Sequence, residues 1–443
     1  MSEERHSAYV KLEPQEDRSI GMSGWGLFFM GLQQVFTMFG ATVLVPYLTG
    51  IPVSLALLGA GLGTFLFHWI TKWKVPVFLG SSFAYILPIQ YVALYYYAQA
   101  NGIDFSTLNV AHDYIALVQN GKITTEFLAY STGGLVMAGL VKAGIGGLIK
   151  VIGIEKVEKL FPPVVAGSMI ILIGLGLSAT AINMASSNWL IAIVSLGTAI
   201  IVRLYAKGFN RLIPVIWGIV VGYIFAWILG DVNFSTVTNS AWVGLPPVYW
   251  PKFSLFAAYT IVPVAIAPAI EHFGDIYAIS GVVGKPFFED PGMHRTLMGD
   301  GFATSLGGLI GGPANTTYSE NTGVLALTKV FNPVIMRIAA AIAIIMSFIP
   351  KISGLIKSIP VAVMGGIEMM LFGMIAGVGM RTLIQNKVEM DGKNLIIAAV
   401  MLVIGIGGAT VHIGNSTFEG LGLAGIVGIT LNLIFTFTKA SDD

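Results

Sequence analysis

The sequence predicts an all-α polytopic membrane protein with fourteen transmembrane segments. Of its 443 residues, 55% are hydrophobic and 11% are charged, whereas about 25% of the residues in a soluble domain are charged. Long apolar segments alternate with short polar connections, and about 20 apolar residues suffice to cross a bilayer as a helix. The segments lie at 25–48, 53–71, 77–97, 127–150, 162–182, 188–206, 212–230, 252–280, 294–311, 320–331, 333–350, 360–380, 393–411 and 418–438.

Composition also excludes several classes of function. A net charge of +1 argues against nucleic acid as a partner. The absence of cysteine removes disulfides, thiol catalysis and cysteine-based metal sites. No glycine motif that would cradle a phosphate, no ATPase domain and no histidine–carboxylate spacing typical of a metal site is present. Any transport is therefore expected to be secondary, driven by an ion gradient and independent of a cofactor.

The distribution of lysine and arginine predicts the orientation in the membrane. If the fourteen segments alternate, twenty of the 24 basic residues, Lys142 among them, fall on the side of the amino terminus. The other four are Lys122, Lys252, Lys351 and Lys357. Because basic residues favour the cytoplasmic side, both termini are predicted to be cytoplasmic in a multi-pass protein of the cell inner membrane. Residues 1–24 then form a mixed-charge cytoplasmic arm and residues 439–443 a short cytoplasmic tail.

The tenth segment is the strongest sign of a site. It lies in GGPANTTYSENTGVLALTK, Gly311 to Lys329, where two glycines and Pro313 break the preceding helix. The polar residues 315–319 fit a short extended strand, and Glu320 and Asn321 open a new half-helix. Irregular backbone at membrane depth survives only inside protein or beside a water-filled cavity. Broken helices of this kind mark the substrate sites of transporters.

An internal repeat relates the two halves of the chain. FPPVVAGSMIILIG (Phe161–Gly174) resembles IPVAVMGGIEMMLFG (Ile359–Gly373). These are the fifth and twelfth segments, which are seven segments apart. Because an odd number of membrane crossings separates them, the two halves would have opposite orientations, as in inverted-repeat transporters. The third segment, VPVFLGSSFAYILP (Val75–Pro88), should then match the tenth as a second strand and half-helix. We therefore predict that Gly80, Ser81, Ser82, Phe83 and Tyr85 lie opposite Ser319, Glu320 and Asn321.

Three carboxyl groups are the main candidates for chemistry. Glu271 and Asp275 in PAIEHFGDIYA are four residues apart and share one helical face, which should turn to the protein interior. They either form a functional site or are hydrogen-bonding groups that fix helix packing. Glu320 stands at a helix start within the membrane, where it either binds a ligand or caps the helix.

The other polar residues within the apolar segments admit simpler interpretations. His272, Asn321 and Thr328 are predicted to be structural supports, and Asp300 to make a packing or gating bond to a facing half-helix. Glu368 has no identified role. Either Gln33 or Gln34 faces a cavity or makes an interhelical hydrogen bond. Phe83 and Tyr85 either stack on a flat ligand or pack in the interior.

The sequence resembles the nucleobase/ascorbate transporter family, and most closely its bacterial uracil permeases. The signature of that family begins with Gln or Glu, then Asn, any residue and Gly, and ends with Thr; here it reads ENTGVLALTK, Glu320 to Lys329. QQVFTMFGATVLVP, FLGSSFAYI, DPGMHR and PANTTYSENTGV are also similar to uracil permeases. The likeness covers about residues 25–438.

The resemblance implies a fold and a function. The fold would have two inverted seven-segment repeats, with a core domain (25–150 and 252–350) and a gate domain (151–251 and 351–438), in a homodimer. The function would be proton-coupled uptake of uracil through the bilayer, with the carboxyls of Glu271 and Glu320 binding the base. The backbone near Phe83 and Ser319 would complete the site, and Tyr85 and Gln34 are further candidates for it.

Two departures from the uracil permeases leave an alternative open. Asp275 and Gln34 stand where those proteins typically have histidine, and Asp275 is more like the purine-transporting branch, whereas Glu320 favours uracil. The alternatives are therefore a xanthine or urate symporter on the same fold and, less favoured, an anion transporter; an enzyme is not expected, since no nucleophile–base pair is recognisable. We expect Glu271, coupled to Asp275 and close to Glu320, to carry the proton.

Overall fold

The fold is known from a computed structural model, which describes residues 12, 15–154, 156–157, 162–390, 392–413 and 416–438. Most of the predicted cytoplasmic arm and the tail 439–443 lie outside these residues. The first half of the described chain contains helices α1 (Gly24–Thr49), α2 (Val53–Ile70), α3 (Ile86–Asn101), α4 (Val110–Gln119), α5 (Thr125–Ile152), α6 (Pro163–Gly176), α7 (Ser178–Ser186), α8 (Trp189–Tyr205) and α9 (Pro214–Ile228), and strand β1 (Leu79–Ser81).

The second half of the described chain is also mainly helical and contains one broken segment of its own. Its helices are α10 (Ser235–Thr238), α11 (Leu255–Ile261), α12 (Ile266–Val283), α13 (Met293–Leu309), α14 (Ser319–Thr328), α15 (Val334–Ser347), α16 (Pro350–Lys357), α17 (Val361–Gln385), α18 (Gly392–Ile406) and α19 (Gly420–Thr438). Its strands are β2 (Asn315–Thr317), β3 (Thr410–Ile413) and β4 (Ser416–Glu419). The antiparallel pair β3–β4 was not predicted from the sequence.

Every predicted apolar segment overlaps at least one helix. Among the described residues, six helical stretches are long and apolar enough to cross a membrane when α6 is joined with α7 and α11 with α12, and the pair α15–α16, bent by 82°, would make a seventh. Several of the remaining apolar helices, such as α8 and α9, have 10–17 residues. The mainly helical membrane fold is therefore as predicted, whereas the count of fourteen spans and the inverted repeat stay predictions.

Strands β1 and β2 pair at the centre of the fold. They are antiparallel, with Leu79 opposite Thr317 and Ser81 opposite Asn315. Two further backbone hydrogen bonds extend the ladder, from Tyr318 N to Phe78 O (3.0 Å) and from Ser82 N to Ala314 O (2.9 Å). The two broken segments thus face each other, as expected.

The register of this pairing differs from the prediction. The residues of β1 lie opposite 315–317 and not opposite Ser319, Glu320 and Asn321, because those three already belong to the first turn of α14. Their N–H groups are at a helix start and cannot join a strand ladder. On the other side, a 3₁₀ turn at Phe83–Tyr85 leads into α3. One half-helix therefore begins just beyond each strand.

Helices α5 and α13 pack closely and support the ladder. Their backbones approach at glycines: a Cβ atom on Gly139 would lie 2.6 Å from the carbonyl oxygen of Gly301. The side chain of Ser305 donates to the carbonyl of Val136 across the same contact, at 2.9 Å. Small residues permit such close packing where lipid provides no hydrophobic drive between helices.

We expect Gly139→Val to destabilise the protein, because a branched side chain cannot fit against the α13 backbone. Overpacking of this kind typically lowers the free energy of unfolding by about 1–3 kcal/mol or more. The melting temperature of the purified protein measures the effect. Gly144→Val on the same helix is the control, since nothing lies within 4 Å of its Cβ position. Equal melting temperatures for the two variants would contradict the packing account.

Candidate substrate site

Helix α12 brings two carboxyl groups to the centre of the fold. Glu271 and Asp275 are one turn apart, and both side chains are half-buried. The Asp275 carboxylate accepts a hydrogen bond from the hydroxyl of Thr317, at 2.5 Å. Because Thr317 is the last residue of β2, this bond fixes the acidic face of α12 against the strand ladder.

Helix α14 supplies the third carboxyl group. It begins at Ser319, directly after β2, and Glu320 lies in its first turn. The side chains of Ser319 and Glu320 are exposed although their neighbours Tyr318 and Asn321 are buried. The helix start therefore presents a carboxylate to an open space, as a helix N-terminus favours.

The carboxyl groups form one acidic cluster. Helices α12 and α14 are in contact. Glu271 lies within electrostatic range of Glu320 and Asp300, and Asp275 within range of Glu271 and Glu320. An ionised carboxylate only accepts hydrogen bonds, whereas a protonated one can also donate. The cluster can therefore bind a solute that offers both N–H and C=O groups, provided that at least one carboxyl group carries a proton.

The two predicted aromatic residues have different surroundings. Phe83 is half-buried and opens the 3₁₀ turn that follows β1. Tyr85 is completely buried, and its hydroxyl has no hydrogen-bond partner among the described residues. Tyr85 belongs to the hydrophobic core, so its ring packs in the interior, which is one of the two roles considered for it. Direct contact of either ring with a solute stays a prediction.

Gln34 and Asn321 join α1 to the half-helix. The side-chain amide of Asn321 donates to Gln34 Oε1 at 2.8 Å and to the Gln34 carbonyl at 3.1 Å. Gln34 is 1% exposed. Of the two interpretations given to the glutamine pair, the interhelical hydrogen bond is thus present at Gln34, and Asn321 is a support as predicted. The contact of Gln34 with a solute stays a prediction.

The prediction for Asp300 was wrong about its partner. Its carboxylate does not bond to a half-helix; instead Oδ2 lies 2.6 Å from Lys142 Nζ and 3.1 Å from His272 Nδ1. Lys142 was also predicted to lie on the cytoplasmic side, but its side chain is 0% exposed. The burial of Lys142 could have been recognised from its position in the middle of the apolar segment 127–150. His272 contacts Asp300 on a neighbouring helix, and its role as a structural support stays a prediction.

Glu368, in the apolar segment 360–380, is not part of this cluster. It lies on α17, is 0% exposed, and neither carboxylate oxygen has a hydrogen-bond partner among the described residues. Tyr47 on α1 is within electrostatic range. For metals, no group of three histidine or acidic residues in the described chain could hold an ion.

Comparison with known proteins decides the family. A model of the Permease family matches residues 26–414. The chain belongs to this family. A probable uracil permease of Pasteurella multocida (strain Pm70) is 44% identical to the permease over 421 residues, covering 93% of this chain and 94% of the relative. The uracil permease of Bacillus subtilis (strain 168) is 42% identical over 430 residues, 92% of each chain.

A more distant relative agrees with these. The uracil permease of Escherichia coli (strain K12) is 36% identical to the permease over 418 residues, covering 92% of this chain and 90% of the relative. These relatives are transporters and not enzymes. Together with the apolar helices, they identify the permease as an integral protein of the cell membrane.

Solved structures share the fold at low sequence identity. SLC26A9 superposes with a TM-score of 0.60 at 11% identity, covering 94% of the permease and 65% of SLC26A9. The transmembrane domain of the cyanobacterial bicarbonate transporter BicA superposes with a TM-score of 0.53 at 15% identity, covering 95% of the permease and 98% of that domain. The permease therefore has the transporter fold of these proteins.

Proposed function

We propose that this permease takes up uracil together with protons by alternating access. The observation that supports the proposal is the acidic cluster of Glu271, Asp275 and Glu320 beside strand β2, in a chain whose relatives are named uracil permeases. Ionisable groups inside a membrane protein are expensive and mark substrate and ion pathways.

The chemistry of the cluster matches the base. Uracil is flat and neutral, and its N–H and C=O groups alternate around the ring. An ionised Glu320 accepts an N–H of the base, and a protonated Glu271 donates to a carbonyl oxygen. Backbone groups near Phe83 and Ser319 complete the hydrogen bonds, while Tyr85 and Gln34 border the site.

Proton coupling is assigned to the same carboxyl groups. Glu271, coupled to Asp275, takes up a proton from outside; the neutralised site then binds the base and moves against the rest of the protein. The hydrogen bond from Thr317 to Asp275 (2.5 Å) connects this protonation to the ladder that positions the base.

The proposal includes the architecture expected for such a cycle. Fourteen spans would form two inverted repeats. A core domain (25–150 and 252–350) would hold the base, a gate domain (151–251 and 351–438) would stay against it, and two copies would form a homodimer. Both termini would lie in the cytoplasm.

Uptake by proteoliposomes tests the function. Labelled uracil should accumulate when the outside is more acidic than the lumen, and a protonophore should abolish the accumulation. Unlabelled uracil should compete, whereas xanthine, urate and bicarbonate should not. Competition by xanthine equal to that by uracil would instead identify a purine symporter. Accumulation driven only by a sodium gradient would refute proton coupling.

An anion transporter on the same fold is disfavoured by charge. A site for bicarbonate or a similar anion needs positive potential at the half-helix start. Here Glu320 occupies that start, and Glu271 and Asp275 lie beside it. Lys142, a basic residue within electrostatic range of Glu271, is already paired with Asp300.

We expect Asp275→Asn to weaken proton coupling more than it weakens binding. The amide keeps a hydrogen bond with Thr317 but cannot take part in proton uptake. The dependence of uracil uptake on external pH should flatten, while the Kd for uracil changes by less than about threefold, under 1 kcal/mol. The exposed Asp231→Asn is the control. A variant with the pH profile of the unmodified protein would exclude Asp275 from the proton pathway.

A further inference from the structure

Lys142 is a buried cation beside the proposed site. Its Nζ atom lies 2.6 Å from Asp300 Oδ2, and His272 Nδ1 lies 3.1 Å from the same oxygen. All three side chains are 0% exposed. They come from α5, α13 and α12 respectively, so the contact connects three helices at one point.

The close packing of α5 against α13 leaves little room for these groups to move. Gly139, one turn before Lys142, lies directly against the backbone of Gly301, the neighbour of Asp300. The ring of Phe67 packs edge-on against His272, with 6.4 Å between the centroids. An ammonium group and a carboxylate buried in this way must stay paired, because each alone would be an uncompensated charge.

The pair lies within electrostatic range of the acidic cluster. Lys142 acts on Glu271 and on His272, and Asp300 acts on Glu271, Asp275 and the hydroxyl of Tyr85. The titratable side chains that face the pair are therefore Glu271, His272, Asp275 and Tyr85. Any change in the charge of the pair therefore changes the electrostatic potential at Glu271, the carboxyl group proposed to carry the proton.

We propose that Lys142 is a tethered counter-cation of the substrate site: its ammonium group keeps Asp300 ionised, orients His272, and occupies the place that a free sodium ion would need beside Asp300. Lys142 is a positioning residue, since it acts through Asp300 and His272 on Glu271. The inference rests on the proposed function only in assigning this arrangement to proton-coupled rather than sodium-coupled uptake.

The consequence concerns ion selectivity. With a fixed positive charge at 2.6 Å from its carboxylate, Asp300 has no need of a mobile cation, and the mobile charge of the site is left to Glu271 and its neighbours. Without the ammonium group, the buried Asp300 carboxylate would be uncompensated. It would then take up a proton or bind a small cation from solution.

Thermal melting of the purified protein without substrate tests this. Lys142→Met should lower the melting temperature in choline chloride at neutral pH by at least about 5 °C. Sodium chloride, or acidification, should restore most of the loss. The unmodified protein, Lys142→Arg and the control Lys150→Met, an exposed lysine of the same helix, should melt equally in sodium and choline. A Lys142→Met protein indifferent to sodium and to pH would overturn the proposal.

A second variant covers the case in which Lys142→Met cannot be purified. The double variant Lys142→Met/Asp300→Asn removes both charges and should fold, with no response to sodium. Failure of both variants to fold, or a sodium response in the double variant, would overturn the proposal. These melting results involve no nucleobase. Absence of uracil uptake by the unmodified protein would therefore refute the transport function separately and leave the role of Lys142 standing.

Discussion

Glu271→Gln is expected to abolish concentrative uptake of uracil. Glutamine keeps the shape of the side chain and can still donate a hydrogen bond to the base, but it cannot bind and release a proton. Proteoliposomes with an imposed pH gradient should therefore accumulate no more labelled uracil than liposomes without protein. Exchange of uracil between two equal concentrations should survive better than accumulation, because exchange requires binding but no net movement of protons.

The matched control for this experiment is Glu289→Gln. Glu289 is exposed and lies beyond the end of α12, so its replacement should leave uptake unchanged. Normal accumulation by Glu271→Gln would show that the carboxyl group of Glu271 is not required, and the assignment of the proton to Glu271 would have to be abandoned.

Glu320→Gln should produce the largest loss of affinity. The amide side chain has the same length and leaves the start of α14 unchanged. The hydrogen bond from an N–H of the base to a charged oxygen, however, is lost. Hydrogen bonds to charged groups contribute about 1.5–3 kcal/mol, so the Kd for uracil should rise about tenfold to a hundredfold. Equilibrium binding of labelled uracil to the purified protein measures this change.

Glu389→Gln, an exposed carboxyl group before α18, is the control for Glu320→Gln. The melting temperature of Glu320→Gln should stay close to that of the unmodified protein, because Asn321 still holds α14 to Gln34. Unchanged uracil affinity in Glu320→Gln would place the base elsewhere in the fold.

The broken segments were predictable because their signal is local. Two glycines and Pro313 interrupt the tenth segment, and no neighbouring helix can compensate for such a break without a cavity or buried partners. The register of the strands was not predictable to the same degree. Sequence similarity aligned polar residues with polar residues, whereas the ladder needs extended backbone, which ends at Thr317.

The Lys142–Asp300 pair was not predictable, because it depends on which helices touch. A lysine in a long apolar segment resembles the end of a span, where its ammonium group can reach water. Only the close approach of α5 to α13 brings it to Asp300. The hydrogen bond of Gln34 was not predictable for the same reason, because it depends on the position of Asn321 on a neighbouring helix.

The number of membrane spans could not be predicted from hydropathy alone. Hydropathy identifies apolar segments but not their path: the pair α15–α16 is bent by 82° at the end of the predicted segment 333–350, and α16 continues beyond that segment. Pro350 opens the second helix of that pair, and proline restricts the residue before it to extended backbone. The sequence contained the break, but the angle depends on packing.

The β1–β2 ladder restricts how solute can travel through this protein. Its strands come from opposite halves of the chain, and their backbone bonds could not be exchanged for bonds to water within the bilayer. In the proposed transport cycle the two half-helices would consequently shift as one block. The surfaces that would slide include those where α12 meets α6 and where α14 meets the turn Gly208–Leu212. A small apolar compound wedged into either surface would arrest the cycle without competing with the transported base.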